Sequence, residues 1–143
     1  MSRVLSGGCL CGSVKYEING DLFMAAYCHC SMCRRAHGSA FRPRSLVWAK
    51  DFRWLQGSES IADYTSSPGV HRTFCRHCGS PLIAFSDRYP TIFNLPLGTL
   101  DEDPGIRPQG HWHVTSKAPW FEITDDLPQY PEFPPMPSEA KSS

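Results

Sequence analysis

The sequence predicts a mostly β protein built from short strands, on the basis of two observations. Short runs rich in β-branched and aromatic side chains recur along the chain, and turn residues separate nearly all of them. No window of helical length carries an apolar 3.6-residue period free of glycine and proline. The chain has 143 residues, 41% of them hydrophobic, with 14 basic and 14 acidic side chains, which is the composition of one compact domain.

The strands are predicted from alternation between turn residues. Residues 13–18 form the first, with Val14, Tyr16 and Ile18 on one face, and the Asn19-Gly20 turn ends it. Further strands are predicted over residues 23–27, 46–48, 52–55, 61–64, 70–74, 82–85, 91–95 and 111–114.

One short helix and a tail complete the predicted organisation. The helix is expected to begin near Ser31 and to stop at Gly38, since glycine commonly ends helices. We expect residues 1–130 to form a single zinc-binding domain. Residues 131–143 are predicted to be a proline-rich tail, extended and partly docked, with a frayed end.

Composition also argues against several classes of function. No stretch approaches the roughly 18 apolar residues that a membrane helix needs, and residues 1–8 lack the features of a secretory leader. A formal net charge of zero argues against a nucleic-acid binder, whose affinity rests on many phosphate contacts. We therefore expect a cytoplasmic protein that binds neither nucleic acid nor membrane.

The seven cysteines carry the strongest functional signal. An odd number cannot pair fully as disulfides within one chain, and a reducing compartment disfavours disulfides in any case. The cysteines fall into three tight groups: Cys9 with Cys11, then Cys28 with Cys30 and Cys33, then Cys75 with Cys78. Such spacing predicts zinc binding, whereas a redox C-x-x-C would need a surrounding βαβ pattern that is missing here.

Spacing alone leaves two ways to divide these cysteines. In the favoured division, Cys9, Cys11, Cys75 and Cys78 form a closed structural site, which leaves Cys28, Cys30 and Cys33 with an open position, as a catalytic zinc requires. In the other division, Cys30 and Cys33 join Cys75 and Cys78, and Cys9, Cys11 and Cys28 form a weaker trio.

A cluster of basic residues follows the triple-cysteine group. Arg34, Arg35, Arg42 and Arg44 would suit a small anionic ligand or offset the charge of metal-bound thiolates. For Arg42 and Arg44, a solvated face is an equally weighted interpretation.

The motifs around the cysteines resemble those of the glutathione-dependent formaldehyde-activating enzyme (Gfa) family. The resemblance covers about residues 7–130 and is carried by three segments and a closing one: Gly8-Cys9-Leu10-Cys11-Gly12-Ser13-Val14-Lys15-Tyr16, Cys28-His29-Cys30-Ser31-Met32-Cys33-Arg34-Arg35-Ala36-His37-Gly38, Phe74-Cys75-Arg76-His77-Cys78-Gly79-Ser80, and Ser116-Lys117-Ala118-Pro119-Trp120 with Asp125-Asp126-Leu127-Pro128.

The resemblance implies a β-tent fold of several coiled β-sheets with short helical turns, held together by zinc. It implies a structural zinc at the residues matching Cys9, Cys11, Cys75 and Cys78, and a second, open zinc at those matching Cys28, Cys30 and Cys33. The implied activity is condensation of formaldehyde with glutathione to S-(hydroxymethyl)glutathione, formally a carbon–sulfur lyase acting in reverse.

Under this interpretation, other side chains near the second zinc acquire roles. Arg34 and Arg35 are expected to bind glutathione carboxylates, and Arg34 also to take part in catalysis. His37 is the predicted proton carrier. His29 is expected to lie behind the ligands or at the surface. His111 and His113 are predicted to share one strand face, and in a less favoured arrangement either would close the site as a fourth ligand.

Two other functions remain open at this stage. The domain would be a non-catalytic, zinc-stabilised binding module for proteins, since the same fold class occurs in a GTPase-associated chaperone and a related domain in centromere protein V. Alternatively, it would be a carbon–sulfur lyase acting on a thiol conjugate other than a glutathione adduct.

Overall fold

The computed structural model describes residues 4–136, and this range contains ten strands and one α-helix. In chain order these are β1 (Val4–Gly8), β2 (Lys15–Asn19), β3 (Leu22–Cys28), α1 (Ser31–His37), β4 (Arg42–Trp48), β5 (Phe52–Gln56), β6 (Ile61–Ser67), β7 (Val70–Cys75), β8 (Pro81–Ser86), β9 (Ile92–Pro96) and β10 (His111–Trp112). The mostly β class is confirmed.

The strands form two sheets. The smaller sheet has the order β1-β2-β5, and the larger has the order β10-β3-β4-β9-β8-β7-β6. Neighbouring strands are antiparallel except β10, which runs parallel to β3. The turn between β1 and β2 belongs to the smaller sheet, and the turn between β7 and β8 belongs to the larger one.

The main core lies between the two sheets. Tyr16 and Ile18 on β2 and Phe52 on β5 pack against residues of the larger sheet such as Val47 and Leu95. Tyr16 stacks on Phe52 with ring centroids 5.1 Å apart. Burying a large apolar side chain contributes roughly 1.5–3 kcal/mol, so this cluster supplies much of the adhesion between the sheets. The predicted common face of Val14, Tyr16 and Ile18 is confirmed, since all three are buried.

The helix α1 begins and ends as the sequence predicts. The Cys30 sulfur caps its first turn by accepting a hydrogen bond from the Cys33 backbone N–H at 3.3 Å. Gly38 ends it in the left-handed conformation, with φ of 60°, and donates its N–H to the Arg34 carbonyl. The helix therefore presents Cys30 and Cys33 from one rigid turn.

Several strand bounds differ from the prediction, β4 most of all, since it begins at Arg42 and not at Leu46. Two further differences have a local cause. Strand β1 was missed because Gly7 and Gly8 suggest a turn, yet a Cβ at Gly7 would collide with the Tyr16 ring and the Thr99 carbonyl, so glycine is what lets the strand lie there. Strand β10 was predicted over residues 111–114 but ends at Trp112, because His113 adopts a left-handed conformation with φ of 59°.

The segment after residue 127 lies alongside β10. The His111 N–H donates to the Pro128 carbonyl at 2.9 Å, and the Tyr130 N–H donates to the His111 carbonyl at 2.8 Å. Within the predicted tail, Phe133 lies beside the Trp112 ring and Met136 packs near Leu46 and Ile92. The predicted frayed end lies outside the described residues. Within residues 4–136, no helix combines the length and apolar character needed to cross a bilayer.

Candidate metal centres and ligand cavity

The sulfurs of Cys9, Cys11, Cys75 and Cys78 meet in one group, called here the four-cysteine cluster. All four lie within 4.8 Å of one another, with Cys9 and Cys11 at 3.6 Å and Cys11 and Cys75 at 3.8 Å. A zinc ion bound at about 2.3 Å in a tetrahedron would separate its sulfurs by about 3.8 Å. The arrangement therefore fits a tetrahedral zinc.

Two turns from different sheets build this cluster. Cys9 and Cys11 lie in the β1–β2 turn of the smaller sheet, and Cys75 and Cys78 lie in the β7–β8 turn of the larger one. A metal bound here would join the two sheets by linking cysteines that are far apart in sequence: Cys11 and Cys75 are separated by 64 positions. Such a metal would have a structural role, and none of the four cysteines lines the cavity described below.

Backbone and hydroxyl groups form hydrogen bonds to sulfurs of this cluster, those of Cys9 and Cys78 among them. The Val14 N–H donates to the Cys9 sulfur at 3.3 Å. Gly79, with φ of 81°, makes the tight turn and donates its N–H to the Cys75 carbonyl. Hydrogen bonds from the side chain and backbone of Ser80 lower the pKa of Cys78 to about 5. Cys78 thus needs little further stabilisation to bind a metal as thiolate.

The sulfurs of Cys28, Cys30 and Cys33 form a second group, called here the three-cysteine cluster. They also lie within 4.8 Å of one another. Cys28 ends β3 and the other two come from the start of α1, so all three belong to one short segment. The structure thereby gives the favoured division of the cysteines, and the division that joins Cys30 and Cys33 to Cys75 and Cys78 is wrong.

No described histidine, aspartate or glutamate joins the three sulfurs within that distance. His111 instead bonds the His29 ring at 2.8 Å and the Asp125 carboxylate at 3.0 Å. The expectation that His111 and His113 share a face is wrong, because the left-handed backbone at His113 turns its side chain out of the alternation. Among the described residues, the donor set is three thiolates with a free fourth position, which fits zinc in the open arrangement.

The three-cysteine cluster lines a cavity of 240 Å³. Apolar side chains also line it, Trp112, Phe133 and Met136 among them. This volume lies just below the roughly 300–1,000 Å³ typical of pockets for small ligands. The cavity therefore suits a small molecule that reaches the sulfurs through an apolar surround.

Three arginines lie in the same wall, and they are not the pair expected from the sequence. Arg42, Arg44 and Arg72 line the cavity, whereas Arg34 and Arg35 do not. Arg34 donates from Nε to the Ser116 carbonyl at 3.2 Å, and Arg35 is exposed. The solvated-face interpretation of Arg42 and Arg44 is wrong, because they are only 2% and 1% exposed.

The three guanidinium groups make different contacts. Arg72 donates from both terminal nitrogens to the Cys33 sulfur, at 3.7 and 3.8 Å. Arg42 donates to the Asn94 carbonyl at 3.1 Å and pairs with His37 at 3.2 Å. Burial lowers the pKa of Arg42 to about 10, so it stays charged at neutral pH.

These charges favour a thiolate at Cys33. Hydrogen bonds from Cys28 and Cys30, together with the charges of Arg72 and Arg42, lower the pKa of Cys33 well below its ordinary value. Of the three cavity arginines, sequence reasoning missed Arg72, whereas the burial of Arg42 and Arg44 agrees with strand parity, since both lie on the same face of β4 as the buried Leu46.

The histidines near the three-cysteine cluster differ in whether they line the cavity. His37 lies behind Arg42, outside the cavity wall, and burial with the nearby Arg42 charge lowers its pKa to about 4. His29 is fully buried, and burial lowers its pKa to about 4 as well. Among the histidines of residues 4–136, His113 lines the cavity and the others do not.

The fold and these clusters define a class: small, mostly β proteins with two cysteine clusters that can each hold a metal ion. A family model described as glutathione-dependent formaldehyde-activating enzyme matches residues 4–116, and the chain belongs to that family. The resemblance seen in the cysteine motifs is thereby confirmed.

Three individual proteins are similar to this chain, and one of them carries the family's name. A putative glutathione-dependent formaldehyde-activating enzyme of Halomonas elongata is 29% identical over 128 residues, which is 84% of this chain and 81% of the relative. An uncharacterized lyase of Schizosaccharomyces pombe is 29% identical over 76 residues, 53% of each chain. The crystal structure of a Rhodobacter sphaeroides protein matches with a TM-score of 0.58 and 27% identity, covering 72% of this chain and 97% of that one.

Proposed function

We propose that the protein binds zinc at both clusters and uses the three-cysteine cluster to activate a thiol, glutathione, for addition to formaldehyde. The reaction joins the thiol sulfur to the carbonyl carbon, and the thiol proton ends on the carbonyl oxygen, giving S-(hydroxymethyl)glutathione. Family membership supports this substrate pair, and formally the reverse reaction is that of a carbon–sulfur lyase.

One observation carries the proposal: the three sulfurs open onto the 240 Å³ cavity, and no fourth protein ligand joins them among residues 4–136. When bound there, zinc would lower the pKa of a thiol that occupies its free position. The cavity walls would hold that thiol beside the aldehyde, so that rate is gained from proximity.

The arginines of the cavity would offset the negative charge that a fourth thiolate adds to the zinc centre. Three cysteine thiolates and a fourth thiolate would give a zinc centre a net charge of −2, which disfavours binding of the fourth. Arg42, Arg44 and Arg72 place three positive charges in the same wall, and such pairing is strong where water is excluded. The cavity is therefore electrostatically suited to a thiolate.

His113 is our candidate to take up the thiol proton, in place of His37. It lines the cavity beside Phe133, with ring centroids 5.8 Å apart, and its backbone N–H is held by the Glu132 carbonyl at 2.6 Å. Arg34 and Arg35 would contact only a part of glutathione that extends beyond the cavity. A cytoplasmic location, where glutathione keeps cysteines reduced, completes the proposal.

The test combines zinc content with X-ray absorption on the zinc-loaded protein. We expect two zinc ions per chain and a fourth sulfur at one of them only after glutathione is added. S-methylglutathione is the control, since it has the same skeleton without a thiol. Two zinc ions that show no change with glutathione would contradict the thiol-activation proposal and favour the binding-module alternative.

A further inference from the structure

Arg44 differs from the other two arginines of the cavity in having no hydrogen-bond partner. Its side chain is 1% exposed, and none of its three nitrogens meets an acceptor among the described residues 4–136. Arg42 bonds a carbonyl, and Arg72 bonds the Cys33 sulfur. A buried guanidinium is costly unless acceptors satisfy it, so an unpaired one in a cavity wall indicates that the ligand supplies them.

The surroundings fix how that ligand would approach. The Arg44 guanidinium lies over the Trp112 ring, with Cζ 4.0 Å from the ring centroid. Stacking occupies one face of the guanidinium, whereas its N–H groups point outward in its plane. Those donors match the two oxygens of a carboxylate as a fork. Stacking on Trp112 also holds the group in place before the ligand arrives.

A second polar atom in this wall is also unpaired. The Asn94 Oδ1 atom is buried without a hydrogen-bond donor within the described range, and Asn94 lines the same cavity as Arg44. This oxygen accepts hydrogen bonds, so it fits an N–H or O–H group of a ligand whose anionic end lies at Arg44. Together the two residues describe a ligand with an anion and a nearby donor.

We propose that Arg44 binds a carboxylate of the thiol–aldehyde adduct whose sulfur reaches the three-cysteine cluster. This inference rests on the proposed function for the position of the sulfur. Since both groups line one cavity of 240 Å³, the carboxylate and the sulfur belong to a single compact ligand. The carboxylate has two possible sources: the thiol itself, or a carbonyl substrate that carries one, such as glyoxylate, in place of formaldehyde.

Two pairs of probes separate these sources by calorimetric titration of the zinc-loaded protein. Glutathione and its diethyl ester differ in the two carboxylates that the thiol itself carries. S-(carboxymethyl)glutathione and S-(carbamoylmethyl)glutathione differ in a carboxylate at the position of the carbonyl partner. We expect at least one pair to show about a tenfold preference for the carboxylate, and Arg44→Met to reduce that preference to about one.

Matched variants keep the test specific. Arg107→Met removes an exposed arginine that is paired with Asp103 away from the cavity, and it should leave the preference unchanged. Arg44→Lys keeps the charge without the planar fork and should retain only part of the preference. Circular dichroism and zinc content show whether each variant is folded, and the comparison of probes on the unmodified protein needs no variant.

Three outcomes would overturn the inference: no preference in either pair, a preference that Arg44→Met leaves unchanged, or an equal loss of affinity for every probe. The last would mean that Arg44 only offsets the charge of the sulfurs. Failure of the proposed function is recognised separately, because then glutathione brings no fourth sulfur to the zinc even if the S-(carboxymethyl) preference depends on Arg44.

Discussion

Cys75→Ser tests whether the four-cysteine cluster holds the two sheets together. Structural zinc sites contribute about 10–16 kcal/mol of binding free energy, so the loss of one ligand in four should cost about 3–4 kcal/mol. Cys75 is fully buried, and a serine hydroxyl left there without a partner adds about 1–3 kcal/mol. For a chain of 143 residues, about 4 °C per kcal/mol applies, so the melting temperature should fall by about 15–30 °C.

Cys30→Ser is the matched control for this measurement. Its sulfur caps α1, a role that serine fills at least as well, and its cluster closes a segment of only a few residues. Thermal unfolding with zinc analysis should show loss of one zinc and a melting temperature within about 5 °C of the parent, because only about 1 kcal/mol is at stake. Equal melting temperatures and equal zinc content for Cys75→Ser and Cys30→Ser would refute the two-site reasoning.

Three further predictions concern charge and packing. Arg72→Met removes both donors to a sulfur of the three-cysteine cluster and should weaken zinc binding there by about tenfold or more, measured by chelator competition. His71 should titrate above its ordinary pKa by NMR, because hydrogen bonds to Asp63 and a second carboxylate outweigh the lowering effect of burial; Asp63→Asn should reduce that pKa. Tyr16→Phe removes a buried 2.7 Å hydrogen bond and should lower stability by about 1 kcal/mol in denaturant unfolding, whereas the exposed Tyr64→Phe should not.

The sign of the His71 effect follows from linkage. A pKa raised in the folded state means that the protonated imidazole stabilises the fold at pH values below the unfolded pKa of about 6.5. That contribution is lost as the pH rises through the folded pKa. A His71 resonance that titrates at or below the pKa of an unfolded peptide would contradict the His71 prediction. Unchanged zinc affinity in Arg72→Met would contradict the prediction for that arginine, and equal stability changes in the two tyrosine variants would contradict the prediction for Tyr16.

The sequence was most informative where structure is local. The helix from Ser31 to Gly38 follows from a start signal and a glycine stop a few residues apart, and both were predicted. The cysteines of each short group had to lie together for the same reason. Which groups meet was open on spacing alone, because that depends on turns that belong to different sheets.

Sequence reasoning was least informative for residues whose environment comes from distant strands. For Arg44, a solvated face is an equally weighted interpretation of the sequence, since runs of charged side chains usually face water. It is buried because β4 lies in the interior of the larger sheet, between β3 and β9, with Arg44 opposite Ala26 and Pro96. Arg72 reaches Cys33 across 39 residues, which no local pattern indicates.

The cavity wall extends past the predicted domain boundary at residue 130. Phe133 and Met136 line the cavity, although neither belongs to a sheet or to a cysteine cluster. A shortened protein ending at residue 130 would keep every cysteine and give the expected zinc stoichiometry. It would nevertheless lack part of the ligand-facing surface, so screening of candidate substrates should use the chain through at least residue 136, and fusion tags are better placed at the other terminus.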